Sequence, residues 1–384
     1  MKVKNILVVI PYFVPAYSYW WPVNVAYNYA KELVKRGYSV TVITTDTLDK
    51  NNRIKELEEI IDWIKIIRFK NFSNYLAKKY SIYSPIWVAK WIKNNIKNFD
   101  IVHMHDFFSY MNIITWIYCK KFGVPYIIQP HWSANFFPKR WKSIIKRVFF
   151  ELFWTRLLEW SKSIITVSQY EKDNIYYLNK DKIKIIYNWI DTELIQRQEQ
   201  NIAENDIDRF KKKFCLEWKK IIFSMGRLHS IKRFDKLINW SKDLLLKNKN
   251  YCLMIVWPDE WEMCNLKQQI NKNWLTWRVI LTWWLYGKEK YIAYKVADVF
   301  TLLSDSEAGG VTLVWVEAMY YKLPLILSIW CSFEFENEFT KIVEKKSEFE
   351  SAVYKFIDKK ANYSFWKELS MNYIIDGLER IYNE

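Results

Sequence analysis

Short runs of β-branched and aromatic residues alternate along the chain with longer stretches whose apolar positions recur every three or four residues. In the first half, "NILVVIPYF", "YSVTVITTD", "IKIIRF", "DIVHMHD", "PYIIQPH" and "SIITVSQ" predict strands. Between them, Val23–Arg36, Pro85–Asn98, Met111–Phe122 and Ile144–Glu159 predict helices. The second half repeats the pattern: "KKIIFSMGR", "YCLMIVWPD", "RVILTWW", "DVFTLLSD" and "LPLILS" predict strands, and Phe234–Leu246, Glu262–Asn271, Lys288–Val296 and Val314–Tyr321 predict helices. Strands alternating with helices imply βαβ units, hence two doubly wound α/β domains facing each other across a cleft, with ligands at the carboxyl ends of the strands. The join, "YNWIDTELIQRQEQNIAENDIDRFKKKF", is polar and charged and has no apolar strand, and the tail Phe349–Glu384 has only helical character.

A length of 384 residues suits two domains of ordinary size. No run approaches 18 consecutive apolar residues, which argues against a spanning helix. The opening "MKVKNILVVIPYFVP" imitates a signal peptide, but its apolar stretch is short and lacks a small-residue cleavage site, so a buried first strand is the better reading. Cys119, Cys215, Cys252, Cys264 and Cys331 are odd in number and scattered, with no CxxC pair. Reduced thiols fit this pattern; a disulfide framework or a zinc site does not.

Composition changes the picture at one point. The chain has 22 tryptophans and 7 glycines, whereas average usage predicts roughly 27 glycines in a chain of this length. Many tryptophans stand where a turn is expected. Trp20 and Trp21 precede a helix, Trp189 lies between a strand and a helix, Trp257 and Trp261 bracket "WPDEW", and Trp283 and Trp284 follow a strand. Turns need positive φ or close backbone approach, which glycine supplies and an indole obstructs. A UGA codon read as glycine by the organism, and written here as tryptophan, accounts for this. The heavy use of Lys, Asn and Ile suits the AT-rich genome in which UGA is common. The rival is a stacking surface for sugars or bases, but stacking residues cluster on one face and these are spread along the chain. Trp91, inside the amphipathic "VAKWIKNNIKNF", reads as a genuine tryptophan.

A formal charge of +16 attracts anions such as nucleic acid, acidic headgroups or phosphorylated substrates. Basic residues thicken at Lys139–Arg147, "KRWKSIIKR", which reads equally as a solvated face or as a face for an anionic membrane.

Four stretches carry a resemblance that runs over nearly the full length. They are "YSYWWPVNVAYNYAKELVKRGYSVTVIT", "VPYIIQPHWSAN", "YNWIDTEL" with "FSMGRLHSIKRFDKLI", and "LLSDSEAGGVTLVWVEAMYYKLPLILS". Together they resemble the family 4 glycosyltransferases of the GT-B fold, and the fit improves with Gly for Trp20, Trp21, Trp132 and Trp189. The resemblance implies an N-terminal Rossmann-like, acceptor-side domain at 1–190, a linker at 191–215, a nucleotide-sugar-binding domain at 216–348, and a tail at 349–384 that packs back on the N-terminal domain.

In "GRLHSIKRFD", Gly226 lets the chain turn after a strand, and Arg227 and Lys232 send two cations toward one point at the start of a helix. That arrangement suits a pyrophosphate. The resemblance assigns Arg227 and Lys232 to the donor diphosphate and its departure. It assigns Glu307 to the donor sugar hydroxyls, Glu317 to the ribose, and Gly309–Gly310 to an anion-binding turn. It places His131 beside the donor sugar and its phosphate, and Trp20, Trp21 and Asn188 at donor-binding positions, although two real indoles at 20 and 21 would fill the cleft. Glu307 and Glu317 stand ten apart where the family spaces its acids eight apart, so Glu317, followed by the family-like "VEAMYYKLPLI", is the firmer assignment. His103 and His105 in "VHMHD" are expected on opposite faces of their strand, unable to share one metal.

The resemblance implies a retaining transferase that moves a sugar from a nucleotide diphosphate sugar to an acceptor hydroxyl in cell-surface glycan or glycolipid synthesis. It implies no cofactor and no metal, and no DxD pair stands at a suitable strand end. Front-face attack, with the leaving phosphate assisting deprotonation of the acceptor, belongs to the same expectation. The expected partners are the donor, a glycan or lipid-linked acceptor and an anionic membrane surface, not nucleic acid. The expected location is cytoplasmic, with the inner face of the cell membrane as a peripheral site. Two other readings stay open: another GT-B enzyme such as a nucleotide-sugar epimerase, and a basic, non-enzymatic nucleic-acid binder.

Overall fold

The apolar runs of the pattern become the strands of two sheets. The structure is a computed structural model that describes residues 3–16, 21–49, 51–80, 83–106, 109–131, 150–175, 178–256, 262–283, 285–307, 312–331 and 337–384. It divides into two units, Met1–Ile186 with Ile375–Glu384, and Tyr187–Ile374.

The first unit holds β1 (Asn5–Val9), β2 (Ser39–Thr45), β3 (Glu58–Ile61), β4 (Ile64–Phe69), β5 (Ile101–His105), β6 (Tyr126–Gln129), β7 (Ser163–Thr166) and β8 (Ile183–Ile185). They form one sheet in the order β3-β4-β2-β1-β5-β6-β7-β8, parallel except for the β3–β4 hairpin. β1 is buried from Ile6 onward, as a first strand of a doubly wound sheet should be. The second unit holds β9 (Lys220–Met225), β10 (Tyr251–Val256), β11 (Val279–Thr282), β12 (Val299–Leu302), β13 (Leu325–Ser328) and β14 (Thr340–Val343). Their order is β11-β10-β9-β12-β13-β14, all parallel. Both sheets carry apolar side chains on both faces and are covered by helices, which makes each unit Rossmann-like. The end of the chain belongs to the first unit, where Arg36 pairs with Asp376 at 2.5 Å and Glu379 at 2.8 Å.

The polar join is helical. Residues 191–215 contain the helices Thr192–Gln200 and Glu204–Lys213, and Ile195 and Phe210 enter the core of the second unit. Of the predicted helix Ile144–Glu159, residues 144–149 lie outside the described residues; the rest forms a π-turn, Phe150–Trp154, and the helix Thr155–Trp160. The five cysteines are all free.

Two groups of tryptophans stand out among the described residues, while Trp160, Trp277, Trp283 and Trp330 are exposed without positive φ. Ten non-glycine residues among those described have positive φ, and four of them are Trp63, Trp87, Trp218 and Trp274. Three of them, Trp63, Trp218 and Trp274, occupy positions with a specific demand for glycine; Trp87 precedes the helix Val88–Asn95. Asp62 and Trp63 form the two-residue loop of the β3–β4 hairpin with φ of 48° and 65°, the type I′ arrangement for which Asp-Gly is preferred. Trp274 ends the helix Met263–Lys272: its N–H donates to Asn271 O at 3.1 Å and that of Leu275 to Ile270 O at 3.0 Å. This is a Schellman motif with Trp at the glycine position. The same motif ends the helix Trp21–Lys35, where Gly37 has φ 87°. Trp218, with φ 62°, is third in a turn closed by Lys219 N–H donating to Leu216 O at 3.1 Å, the position that selects glycine in a type II turn. All four indoles are exposed, Trp218 at 94%.

A second population packs. Trp116, Trp154 and Trp315 are buried in the cores, and Trp91 meets Phe69 edge-on at 6.2 Å, as expected of a genuine tryptophan. Trp189 sits in the loop after β8 but is buried rather than exposed. Trp20, Trp132, Trp257, Trp261 and Trp284 lie outside the described residues.

Left-handed backbone costs a β-carbon-bearing residue about 1–2 kcal/mol. Trp218→Gly is therefore expected to raise the unfolding free energy by about 1 kcal/mol, while Trp154→Gly, which removes a buried indole, lowers it by more than ~3 kcal/mol. Denaturant melts of both variants check this. Protein purified from the source organism should give peptide masses with glycine at 63, 87, 218 and 274; intact tryptophan there contradicts the recoding.

Candidate active site

In the second sheet the strand order reverses at β9 and β12: the chain runs outward from β9 through β10 to β11, and outward from β12 through β13 to β14. The loops leaving these two adjacent strands therefore part at their carboxyl ends, which is where open α/β sheets bind ligands. Gly226, Arg227 and Lys232 follow β9, and Ser304 and Glu307 follow β12.

Backbone and side chains join the two loops. Asp305 N–H donates to Ile231 O at 2.8 Å, and Arg233 Nη1 donates to Asp305 Oδ2 at 2.6 Å. Arg233 has φ 52° and precedes the helix Phe234–Lys247. Asp235 and Asp305 together raise its guanidinium further above its ordinary range. Beside this clamp the Lys232 ammonium forms an ion pair with Glu307, and both side chains are largely buried. Ser304 Oγ donates to the other Glu307 oxygen, and Thr312 Oγ1 donates to Oε2 at 3.3 Å. Arg227, in the same loop as Lys232, is exposed.

One expectation about this loop needs correction. Gly226 does not adopt a positive φ, and a Cβ there would meet the Phe234 ring at 3.6 Å, an ordinary contact. The turn after β9 is made by ordinary backbone, and the left-handed residue in the loop is Arg233.

Glu317 lies on the helix Leu313–Tyr320, seven per cent exposed. Lys290 Nζ donates to its Oε1 at 2.5 Å and Tyr294 OH to its Oε2 at 2.8 Å. Burial, and then the Glu317 charge, hold the Tyr294 phenol well above its ordinary value. Lys290 and Tyr294 were not anticipated. The signal was their i, i+4 spacing on the predicted helix Lys288–Val296, which puts both on one face. Asn188 is buried in the loop after β8. Gly309, Gly310 and Trp20 lie outside the described residues, as do 132–149 with the basic stretch Lys139–Arg147; Trp21 opens the helix Trp21–Lys35.

His131 belongs to the first unit. It follows β6 with φ 50°, and His105 Nδ1 and His131 Nε2 share a hydrogen bond of 2.8 Å. The expectation that His103 and His105 face opposite ways is wrong. They are two residues apart, and the pleat returns to the same face every second residue. Their rings stack with centroids 4.1 Å apart, and His105 stacks in turn on His131 at 5.1 Å. Tyr382 OH meets His103 Nδ1 at 2.8 Å. Desolvation by burial lowers His103 and His131 to about 3 and His105 well below its ordinary value, so all three are neutral at physiological pH. Among the described residues no group of three His, Cys, Asp or Glu is arranged to hold a metal ion, and no helix is long and apolar enough to cross a membrane.

Comparison with known proteins adds two families of similarity. Residues 23–194 match the model of "Glycosyltransferase Family 4", and residues 206–355 match "Glycosyl transferases group 1". No curated protein matches by sequence. A glycosyltransferase from Rickettsia africae aligns over 100% of this chain and 98% of its own, with TM-score 0.73 and 17% identity. The Anabaena protein HepE, solved with UDP and glucose, aligns over 99% and 94%, with TM-score 0.62 and 16% identity. An Escherichia coli structure described as trehalose-6-phosphate bound with UDP-2-fluoro glucose aligns over 99% and 97%, with TM-score 0.65 and 13% identity. These likenesses give the fold.

The buried histidines carry a pH consequence. A histidine held at about 3 in the fold and at its ordinary 6.5 when unfolded binds a proton only on unfolding between those values. Stability is then complete above pH 6.5 and falls as pH drops toward 3, at about 1.4 kcal/mol per pH unit for each such residue. Denaturant midpoints from pH 7 to 4 should decline, and less steeply in His103→Phe; a slope that this substitution leaves unchanged contradicts the assignment.

Proposed function

From a chain that belongs to the family 4 glycosyltransferases and has their GT-B fold, we propose a retaining, metal-independent enzyme that moves a sugar from a nucleotide diphosphate sugar to an acceptor hydroxyl in cell-surface glycan or glycolipid synthesis. The observation that carries this reading is the Lys232–Glu307 pair at the point where the strand order reverses. It puts a cation suited to a diphosphate and a carboxylate suited to sugar hydroxyls side by side. The structures solved with UDP and glucose, and with UDP-2-fluoro glucose, support a uridine nucleotide sugar as the first donor to try.

In this proposal Arg227 and Lys232 neutralise the leaving diphosphate. Lys232 has three donors, so it can keep Glu307 and still reach a phosphate oxygen. The positive end of the helix Phe234–Lys247 adds to the same field. Glu307, its oxygens oriented by Ser304 and Thr312, accepts from sugar hydroxyls, and Glu317, held by Lys290 and Tyr294, accepts from the ribose. Attack on the donor face from which the phosphate leaves, with that phosphate taking the acceptor proton, gives retention. Asn188, Gly226, Gly309, Gly310 and the chain at 20–21 complete the proposed donor contacts, and His131 the sugar end.

Arg227→Ala and Lys232→Ala should each lower kcat/KM by about 30-fold, equivalent to ~2 kcal/mol of lost charged hydrogen bonding in the transition state. Turnover should survive EDTA, and NMR of the product should show the donor's anomeric configuration. Near-normal turnover in both variants, or an inverted product, overturns the assignment.

The basic stretch Lys139–Arg147 is proposed as a contact for an anionic membrane, each cation contributing about 1 kcal/mol near the surface. Sedimentation at low salt should favour vesicles containing acidic lipid; equal partition to neutral vesicles makes the stretch a solvated face.

A further inference from the structure

Three imidazoles and a phenol form a column inside the first unit: Tyr382, His103, His105 and His131, joined by two hydrogen bonds of 2.8 Å and two ring stacks. Only its last member, at the tip of β6, has a part in the proposed reaction. His105 is one per cent exposed and bonds directly to that last ring. The hydrogen bond leaves a choice. In a pair of neutral imidazoles exactly one proton lies between His105 Nδ1 and His131 Nε2, and its owner decides what the other His131 nitrogen can do. That other nitrogen, Nδ1, is buried and has no hydrogen-bond partner among the described residues. If His105 owns the shared proton, His131 carries its own at Nδ1 and offers a donor there. If His131 owns it, Nδ1 is a bare acceptor.

We propose that His105 is a positioning residue for His131, donating from Nδ1 to His131 Nε2 and thereby fixing His131 as an Nδ1–H donor toward a phosphate or sugar oxygen of the nucleotide sugar. The inference rests on the glycosyltransferase reading for its ligand, but the tautomer exists in the protein by itself. Several features favour this choice. A phosphate oxygen is acceptor-only, so the His131 nitrogen that meets it must carry a proton. The left-handed backbone at His131, φ 50°, is strained for a residue with a β-carbon, and strain of this kind persists where surrounding contacts fix a side chain for use. His105 is itself clamped by its stack on His103, which Tyr382 holds in place, so the donor's ring plane cannot swing.

The test uses the whole chain labelled with nitrogen-15 at histidine. Long-range nitrogen–proton spectra should show His131 protonated at Nδ1 and His105 at Nδ1, and saturating UDP-glucose should move the His131 Nδ1–H proton downfield. His105→Phe keeps the stacked ring and removes the donor; it should leave His131 in mixed tautomers and weaken UDP-glucose binding about tenfold with little change in melting temperature. His105→Asn places an amide N–H near the original Nδ1 and should recover most of the loss. His131 protonated at Nε2 in the unaltered chain overturns the inference, as does unchanged binding in His105→Phe. If the unaltered chain shows the Nδ1–H tautomer but binds no nucleotide sugar, the glycosyltransferase reading of this site fails instead.

Discussion

Everything proposed for the second unit depends on β12 lying directly against β9. That adjacency reverses the strand order and opens two loops side by side at the carboxyl ends, and the chain then fastens them to each other. Arg233 and Asp305 make the fastening on the exposed side, and Lys232 and Glu307 make it on the buried side. An exposed pair of this kind contributes little, while a buried one is costly to break on one side, because the remaining charge then has no partner. The inner pair therefore fixes where a cation and a carboxylate stand, and in the proposed reading these are the groups placed for the diphosphate and sugar of a donor.

Much of this was legible in the chain. The apolar runs marked the long strands of both sheets, and the helix Lys288–Val296 begins and ends where its periodicity does. The parts that were not legible have physical reasons. β8, Ile-Lys-Ile, and β14, Thr-Lys-Ile-Val, are short, only partly buried and interrupted by lysine, so they lack the apolar run that marked other four-residue strands such as Leu325–Ser328. The β3–β4 hairpin was hidden because its signal is the turn dipeptide, and the chain reads Asp-Trp where Asp-Gly would announce it. The helices of the polar join bury few side chains, such as Ile195 and Phe210, so no apolar stripe advertised them. At the candidate site, Lys232 and Glu307 were named from their loops and the family resemblance, but their pairing needed the strand order. The column of His103, His105 and His131 was obscured by a mistaken period.

The tryptophans join the two levels. A residue that costs conformational energy at a turn also hides that turn in the sequence pattern, and glycine at these positions would remove both effects. Trp63, Trp218 and Trp274 sit in three different glycine-demanding geometries, and Gly37 shows one of them filled as expected. Trp116, Trp154 and Trp315 are packed instead, and differ from these in both backbone angle and burial.

The central claim is that a nucleotide sugar docks on the two loops at the β9–β12 reversal. Hydrogen exchange with and without saturating UDP-glucose tests it most directly. The account predicts slowed exchange in the loop from Gly226 to Arg233, in the segment from Ser304 to Glu307 and at the start of the helix Leu313–Tyr320, with β14 and the helix Lys346–Phe356 unchanged. Binding that leaves these loops unprotected, or that protects the far edge of the sheet instead, contradicts it.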